Sequence, residues 1–157
     1  MTPDPAFMEA AIALSFEAMN SNRGGPYGAV VVKDGVIIGR GMNEVTSLND
    51  PTAHAELTAI RQACATLSSW RLNGCELYTS CEPCPMCMAA VYWAQLDRVY
   101  YGNTREDAAR YGFNSQAIYD ELARDRDSRK IAMHPLLPSK AITAFDAWAN
   151  KRDREVY

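Results

Sequence analysis

The sequence predicts an α/β protein in which helices cover both faces of a central mixed sheet of five strands. Two observations point to this three-layer α/β/α architecture. An Asp-Gly pair joins the apolar runs at 28–33 and 36–41, a pattern typical of a tight β-hairpin. Further along, a strand-like run at 75–80, an apolar helical run and a second strand-like run at 97–102 follow in order. This succession predicts two parallel strands joined by a right-handed crossover.

Apolar spacing predicts three helices around these strands. Apolar side chains recur at helical intervals between Phe7 and Ala18, and again from about Ala53 onward, after an Asn-Asp-Pro-Thr turn. A third apolar helix follows the motif CEPCPMC, and Pro85 suits the first turn of that helix. Each of these helices is expected to bury one face against the sheet.

The C-terminal part of the chain is more polar. Between residues 104 and 130, six basic and six acidic residues predict a mostly solvated helical segment. The run 131–137 predicts a short edge strand, the fifth of the sheet, because a proline is tolerated at a sheet edge. Residues 141–150 predict a final helix. Three apolar side chains of that helix are expected to point inward: Ile142, Phe145 and Trp148.

Length and composition favour a single domain over residues 1–157, since 157 residues with 48% apolar content can bury one core. A net charge of −3 gives no overall positive field, which favours a small-molecule substrate over nucleic acid. Glu9 and Glu17 flank the N-terminal apolar run, unlike a signal peptide, and no run reaches the roughly 20 apolar residues of a membrane span. We therefore expect a cytoplasmic protein without a membrane partner.

Two short segments carry side chains that bind metal ions. His54 precedes one predicted helix, and Cys84 and Cys87 stand at the start of another. Five cysteines, an odd number, in a chain without an export signal argue against a disulfide framework. The two-residue spacer lets both sulfurs reach one ion, and helix N-termini favour thiolates. One histidine and two thiolates predict a catalytic Zn²⁺ site, because tetrahedral zinc then keeps its fourth position open for water.

Glu56 follows the histidine by two residues, where it can move protons beside the ion without binding it. The order H-x-E followed by P-C-x-x-C is the signature of zinc-dependent hydrolytic deaminases. The alternative is a structural zinc site in which Cys81 is the fourth ligand. A closed site has no use for Glu56, so we take Cys81 to be a packed thiol at a strand end.

Three stretches extend the pattern well beyond this signature: PTAHAELTAIR, YTSCEPCPMC and GGPYGAVVVKDG. Together with the segment AARYGF and the C-terminal Tyr157, they resemble bacterial guanine deaminases of the cytidine-deaminase superfamily over nearly the whole chain. The resemblance implies a cytidine-deaminase-like fold. It also implies a homodimer whose C-terminal segment crosses to the partner and helps to close the active site.

The resemblance further implies the side chains that hold the substrate. Asn43 would hydrogen-bond the ring, Tyr27 would stand where family members often have a stacking phenylalanine, and Trp93 would line the pocket. Tyr157 would close the pocket from the neighbouring subunit, and the backbone amide of Ala55 would help to hold the ring. From the residues alone, Trp93 fits a core position equally well and Asn43 fits a turn.

One position departs from the family pattern. After the Gly-Phe pair, family members commonly have two aspartates, the second with a proton-shuttle role, whereas here Asn114 and Ser115 follow. Ser115 cannot replace a carboxylate. A water, another acid such as Asp107 or Glu121, or Glu56 alone would then move the second proton, or the substrate is a ring other than guanine.

The function expected from these patterns is deamination of guanine to xanthine with release of ammonia. The runner-up is a tRNA adenosine deaminase, which shares the zinc motifs but needs a basic surface, whereas the C-terminal KRDREVY balances its charges. Another amino-purine, a nucleoside or a pterin is also open as substrate. The third hypothesis is a non-enzymatic, zinc-stabilised binding module.

Overall fold

A computed structural model describes residues 2–157 of the chain. Within these residues the sheet-forming strands are β1 (Gly28–Lys33), β2 (Val36–Met42), β3 (Cys75–Cys81) and β4 (Arg98–Asn103). The helices are α1 (Pro5–Asn20), α2 (Val45–Leu48), α3 (Ala55–Leu67), α4 (Pro85–Trp93), α5 (Arg105–Arg110), α6 (Gln116–Ala123) and α7 (Pro138–Ala149). A 3₁₀ turn at Arg126–Ser128 follows α6.

The sheet has the order β2-β1-β3-β4. β1 pairs antiparallel with both β2 and β3, and β3 pairs parallel with β4, so the sheet is mixed as predicted. The predicted hairpin joins β1 to β2, with positive φ at both Asp34 and Gly35, as a type I′ turn requires. α4 connects the two parallel strands, which confirms the predicted strand-helix-strand unit.

The predicted fifth strand is absent: within residues 2–157 the sheet has four strands, and residues 131–137 are exposed and irregular. Pro135, in the middle of this run, has no N–H to donate to a sheet. A second proline, Pro138, comes directly after the end of the run. Only a very short ladder could form between two such interruptions. The prediction of an edge strand here was wrong.

Apolar side chains of the sheet alternate between two faces. Ala29, Val31 and Leu77 belong to one buried cluster, which includes Ala59 of α3 and Val91 of α4. On the opposite face, three buried side chains meet α1 side chains such as Phe7 and Leu14: Val30, Val32 and Tyr78. Helices therefore cover both faces of the sheet, which confirms the three-layer arrangement.

Glycines on β2 bring α3 unusually close to the sheet. A Cβ atom at Gly41 would lie 2.0 Å from the carbonyl oxygen of Ala55, and one at Gly39 would lie 2.2 Å from that of Ala59. No side chain fits at such distances. The missing Cβ atoms therefore fix the N-terminus of α3, with His54 and Glu56, against the end of β2.

The chain divides into two compact units, residues 1–119 and residues 120–157. The first unit holds the sheet. In the second, α7 forms close to its predicted bounds, but Ile142, Phe145 and Trp148 are 51%, 73% and 40% exposed rather than directed inward. This short unit has too few residues to cover the apolar face of α7 by itself. Among the described residues, no helix combines the length and apolar character needed to cross a membrane.

Candidate active site

Two helix N-termini bring the predicted metal ligands together. His54 is the N-cap residue of α3, Cys84 is the N-cap residue of α4, and Cys87 lies in the first turn of α4. The His54 Nδ1 atom lies 3.5 Å from the Cys84 sulfur and 3.4 Å from the Cys87 sulfur, and the two sulfurs are 3.6 Å apart. Among the described residues this is the group of at least three potential ligands that could hold a metal ion.

This triangle of ligand atoms has the size that tetrahedral zinc requires. Zn–S bonds of about 2.3 Å and Zn–N bonds of about 2.05 Å at tetrahedral angles place two sulfurs about 3.8 Å apart and sulfur and nitrogen about 3.6 Å apart. The three distances above agree with these values to within about 0.2 Å. One imidazole and two thiols are also ligands that zinc prefers.

Electrostatics at the triangle favour a thiolate. The pKa of Cys84 is lowered to about 4, first because the Cys87 thiol hydrogen-bonds its sulfur and then because His54 does so as well. The pKa of Cys87 moves in the opposite direction, because its thiol is the hydrogen-bond partner of Cys84 and is buried. The pKa of His54 is raised, chiefly by its hydrogen bond to Cys84. The site therefore stabilises the thiolate form of cysteine, and the thiolate is the form that binds a divalent cation.

Glu56 lies in the first turn of α3, directly beside the ligands, and is only 6% exposed. Burial raises the pKa of its carboxyl group, and the nearby Cys84 thiolate raises it further. A carboxylate that is costly to keep charged is a better proton acceptor than one in water. The side chain also lines the adjacent cavity.

A cavity of about 350 Å³ opens beside the metal ligands. This volume falls within the usual range for small-molecule sites, about 300–1,000 Å³. The residues that line it come from the turn after α1, the end of β2, the two ligand segments and the region of α5 and α6: Gly25, Tyr27, Asn43, Val45, Thr46, His54, Glu56, Cys81, Glu82, Cys84, Ala108, Phe113, Asn114, Ser115 and Ile118.

Asn43 is held in one orientation at the cavity wall. Its side-chain oxygen accepts hydrogen bonds from the backbone N–H groups of Gly25 and Val45, at 3.1 and 3.3 Å. Because the oxygen is used in this way, the amide nitrogen is the group available to a ligand as a donor. A Cβ at Gly24 would lie 2.1 Å from the same oxygen, so glycine is required there.

Tyr27 forms an aromatic part of the wall next to Asn43, whose backbone N–H donates to the Tyr27 carbonyl oxygen at 3.0 Å. Its ring meets Phe113 edge to face, with centroids 5.1 Å apart and planes at 88°. The pKa of Tyr27 is raised well above the usual tyrosine value, first by burial and then by Cys81 and Glu56 nearby, so its hydroxyl remains a proton donor.

Residues 1–103 match the family described as the cytidine and deoxycytidylate deaminase zinc-binding region. The chain belongs to this deaminase family. It is 46% identical to the guanine deaminase of Bacillus subtilis over 96% of this chain and 97% of that protein. The X-ray structure of the Bacillus subtilis guanine deaminase superposes with a TM-score of 0.95, covering 99% of each chain at 45% identity. A tRNA-specific adenosine deaminase of Agrobacterium fabrum is 47% identical over 61% of this chain and 62% of its own length.

Membership of the deaminase family identifies the protein as a zinc-dependent nucleobase deaminase, with His54, Cys84 and Cys87 placed to hold the ion. Cys81 lies outside this ligand group. Its thiol contacts the carbonyl oxygen of Thr104 at 3.7 Å, and burial raises its pKa to about 11. The alternative of a closed four-ligand site therefore finds no fourth ligand in Cys81.

The other predicted substrate contacts divide into two groups. Asn43, Tyr27 and Ser115 line the cavity of this deaminase. Ala55 is fully buried in the core, and Trp93, at the C-terminal end of α4, is 62% exposed; neither lines the cavity. Tyr157 is the exposed last residue of the second unit. A contact with substrate stays a prediction for all six residues.

The cavity residues that the sequence analysis missed include Glu82 and Phe113. Glu82 lies inside the motif CEPC, two residues before the ligand Cys84, and this position is the sequence signal that points to it. Of the acids considered for a second proton transfer, Asp107 is the capping partner of Thr104, and hydrogen bonds from Thr104 lower its pKa. Glu121 belongs to the second unit, where it accepts a hydrogen bond from the Lys130 backbone.

Proposed function

We propose that this deaminase converts guanine to xanthine and ammonia by hydrolysis. The observation that carries the proposal is the similarity to the Bacillus subtilis guanine deaminase, which extends beyond the zinc-binding region to nearly the full length of both chains. The 350 Å³ cavity beside the ligands is large enough for a small heterocycle, and its wall offers both an aromatic ring and a fixed amide.

In the proposed reaction Glu56 moves the protons. Zinc, when bound, supplies the Lewis acidity that makes water a nucleophile at neutral pH. The Glu56 carboxylate accepts a proton from the water whose oxygen forms a bond to the amino-bearing ring carbon. Glu56 gives this proton to the neighbouring ring nitrogen, accepts a second proton from the hydroxyl group now bound to the carbon, and gives that proton to the departing amine, so that the carbon–nitrogen bond breaks and ammonia leaves. The raised pKa of the buried Glu56 supports this role, because it must hold each proton between transfers.

The substrate ring would lie against Asn43 and the Tyr27–Phe113 pair, which line the same cavity. The Asn43 amide nitrogen would donate to an acceptor on the ring, since the amide oxygen already accepts two backbone hydrogen bonds. The aromatic pair would provide an apolar wall for the flat ring.

In this chain Glu56 alone would carry out every proton transfer of the reaction. Ser115 lines the cavity but has no carboxylate, and Glu82 is held by an ion pair with Arg105 at 3.0 Å. If another amino-purine, a nucleoside or a pterin is the better substrate, the serine at position 115, where family members commonly have an acid, would be the first candidate cause of that preference.

A homodimer is the proposed working form, with the C-terminal segment of each chain crossing to the partner. The exposed apolar side chains of α7 support it, because Ile142 and Phe145 lie three residues apart and so share one helix face. Tyr157 would then reach the cavity of the neighbouring chain. A cytoplasmic location also stays a prediction.

A second candidate, deamination of adenosine in tRNA, is favoured by the 47% identity to the Agrobacterium fabrum enzyme over 96 residues. The net charge of −3 supports it less well, because affinity for RNA comes mainly from basic side chains that neutralise phosphates.

A substrate panel tests the proposal. Zinc-loaded protein is assayed for ammonia release from guanine, 2,6-diaminopurine, adenine, guanosine, a pterin and tRNA, and the products are identified by mass. We expect guanine to have the highest kcat/KM and xanthine to be its product. Preferred turnover of tRNA or of any other panel member would contradict the proposal.

A further inference from the structure

The segment 104–119 supplies one wall of the cavity and contacts residues 82–84 at two separate points. Residues 82–84 connect β3 to α4 and include the ligand Cys84, and we call them the metal-ligand loop. Five cavity-lining residues belong to the segment 104–119: Ala108, Phe113, Asn114, Ser115 and Ile118. We call this segment the pocket segment. Its middle turns at Gly112, where φ is +92°, and is held through the Phe113 ring, which packs on Tyr27. Polar contacts attach its two ends.

Arg105 attaches the first end. Its guanidinium lies 3.0 Å from one carboxylate oxygen of Glu82, and its backbone N–H donates to the other oxygen at 3.0 Å. The same guanidinium donates to the Gln116 side chain at 3.2 Å and stacks over the Tyr119 ring at 4.8 Å from the centroid. One cation thus contacts Glu82, in the metal-ligand loop, and both of the helices in the pocket segment.

Tyr119 attaches the second end. Its hydroxyl donates to the carbonyl oxygen of Pro83 at 3.0 Å, and Pro83 immediately precedes the ligand Cys84. Glu82 and Pro83 are therefore both held by the pocket segment, one through Arg105 and the other through Tyr119. The two attachments are joined to each other by the stacking of Arg105 on Tyr119.

We infer that Arg105 and Tyr119 are positioning residues that clamp the loop carrying Cys84 to the pocket segment, so that zinc retention and substrate binding depend on the same contacts. An exposed ion pair by itself stabilises little, but Glu82 is mostly buried and accepts from both the side chain and the backbone of Arg105. Lysine could not make these contacts, because its ammonium group lacks the planar guanidinium of arginine, which donates several hydrogen bonds in one plane and stacks on an aromatic ring. The inference rests on the proposed function only for its effect on KM; its effect on zinc needs no substrate.

Zinc release tests the clamp directly. The rate at which zinc passes from the protein to an excess of a chromogenic chelator is measured for the native protein and for Tyr119→Phe, Arg105→Ala and Arg110→Ala. Tyr119→Phe removes one oxygen atom and leaves the ring for stacking, so the protein should fold. Arg110 is the matched control, because it lies on the same helix, is 75% exposed and forms an ion pair with the nearby Asp107 rather than with the metal-ligand loop.

We expect Tyr119→Phe and Arg105→Ala to release zinc roughly ten-fold faster, which is the size of effect that outer contacts of a metal site usually have. Arg110→Ala should match the native rate. The visible absorption of the cobalt-substituted protein should shift in the first two variants only, because a purely structural role would lower the melting temperature without altering the ligand field. Arg105→Ala should also raise KM roughly ten-fold for the preferred panel substrate, with a smaller change in kcat.

Native-like zinc release and cobalt spectra in both Tyr119→Phe and Arg105→Ala would overturn the inference. If Arg105→Ala does not fold, the Tyr119→Phe result alone decides, since unchanged zinc release there removes the link to Cys84. A failure of the clamp and a failure of the proposed function are distinguishable. Zinc release is measured without substrate, and guanine turnover is measured on the native protein.

Discussion

At the scale of single residues, the site separates metal binding from proton transfer. His54, Cys84 and Cys87 form a triangle of zinc dimensions, whereas Glu56 is buried next to it and outside the ligand group. A buried carboxyl group with a raised pKa suits proton transfer, and sulfurs held at helix N-termini suit metal binding. Substitution of a ligand should therefore remove zinc and, with it, catalysis. Substitution of Glu56 should remove catalysis and leave zinc bound.

Replacing Glu56 by glutamine tests the proton-transfer role. Glutamine has nearly the same shape, so the variant should fold and bind zinc, but it cannot accept a proton. We expect ammonia release to fall by about 10²–10⁴-fold while the zinc content is unchanged. The assignment fails if the variant keeps more than a few per cent of native activity.

Replacing the cysteines one at a time tests the ligand set. Cys84→Ala and Cys87→Ala should each lose most of the zinc, because two remaining ligands hold the ion poorly. Cys81→Ala is the matched control from the same motif and should keep about one zinc per chain. Metal analysis after dialysis gives the answer, and equal loss of zinc from Cys81→Ala would support a four-ligand structural site instead.

Ser115 allows the missing acid to be restored. Because Ser115 lines the cavity, Ser115→Asp would place a carboxylate there, and we expect guanine turnover to stay the same or rise, by up to about ten-fold. The comparison is kcat/KM for guanine in the two proteins. A large loss in the variant would show that the cavity has been adapted to a serine at this position.

At the scale of secondary structure, the sequence predicted well the elements whose signals are local. The Asp34-Gly35 hairpin needs only two residues with positive φ, and the metal ligands lie in two short motifs. The role of Glu82 depends on Arg105, 23 residues away, and spacing alone carries no information about that pairing. The predicted edge strand failed for a local reason, since Pro135 interrupts the ladder.

The close approach of α3 to β2 should make Gly41 sensitive to substitution. In Gly41→Ala the new methyl group would meet the Ala55 carbonyl oxygen, so we expect a loss of about 1–3 kcal/mol in the free energy of unfolding. Denaturant unfolding measures it. Gly35→Asn is the control, because that position has open space and only the cost of a positive φ, which asparagine tolerates better than most residues, so this variant should lose less stability than Gly41→Ala. Equal stability of Gly41→Ala and the native protein would refute the packing argument.

At the scale of the whole molecule, the exposed apolar face of α7 is the feature that the sequence did not predict. The helix itself was predicted from its spacing, but the direction of its side chains depends on what covers it. Ile142, Phe145 and Trp148 were expected inward and are exposed on the single chain. A partner chain would explain why a polar C-terminal region keeps such a face.

Light scattering after size-exclusion chromatography tests the proposed dimer. We expect a mass near twice the chain mass of 17.4 kDa for the native protein and a monomer for Phe145→Glu, which puts a charge on the apolar face of α7. Lys140→Glu, on the same helix, controls for the added negative charge and should remain dimeric. A monomeric native protein with full activity would contradict the proposed exchange of C-terminal segments.

Zinc titration of metal-free protein, with xanthine formation from guanine as the readout, tests the central claim most directly. Three ligands at one site and one proton-transferring carboxylate predict that the rate rises linearly with added zinc and stops rising at about one ion per chain. The Glu56→Gln variant should bind the same amount of zinc and form almost no xanthine. Xanthine formation that is independent of zinc, or its absence from the fully zinc-loaded native protein, would contradict the account.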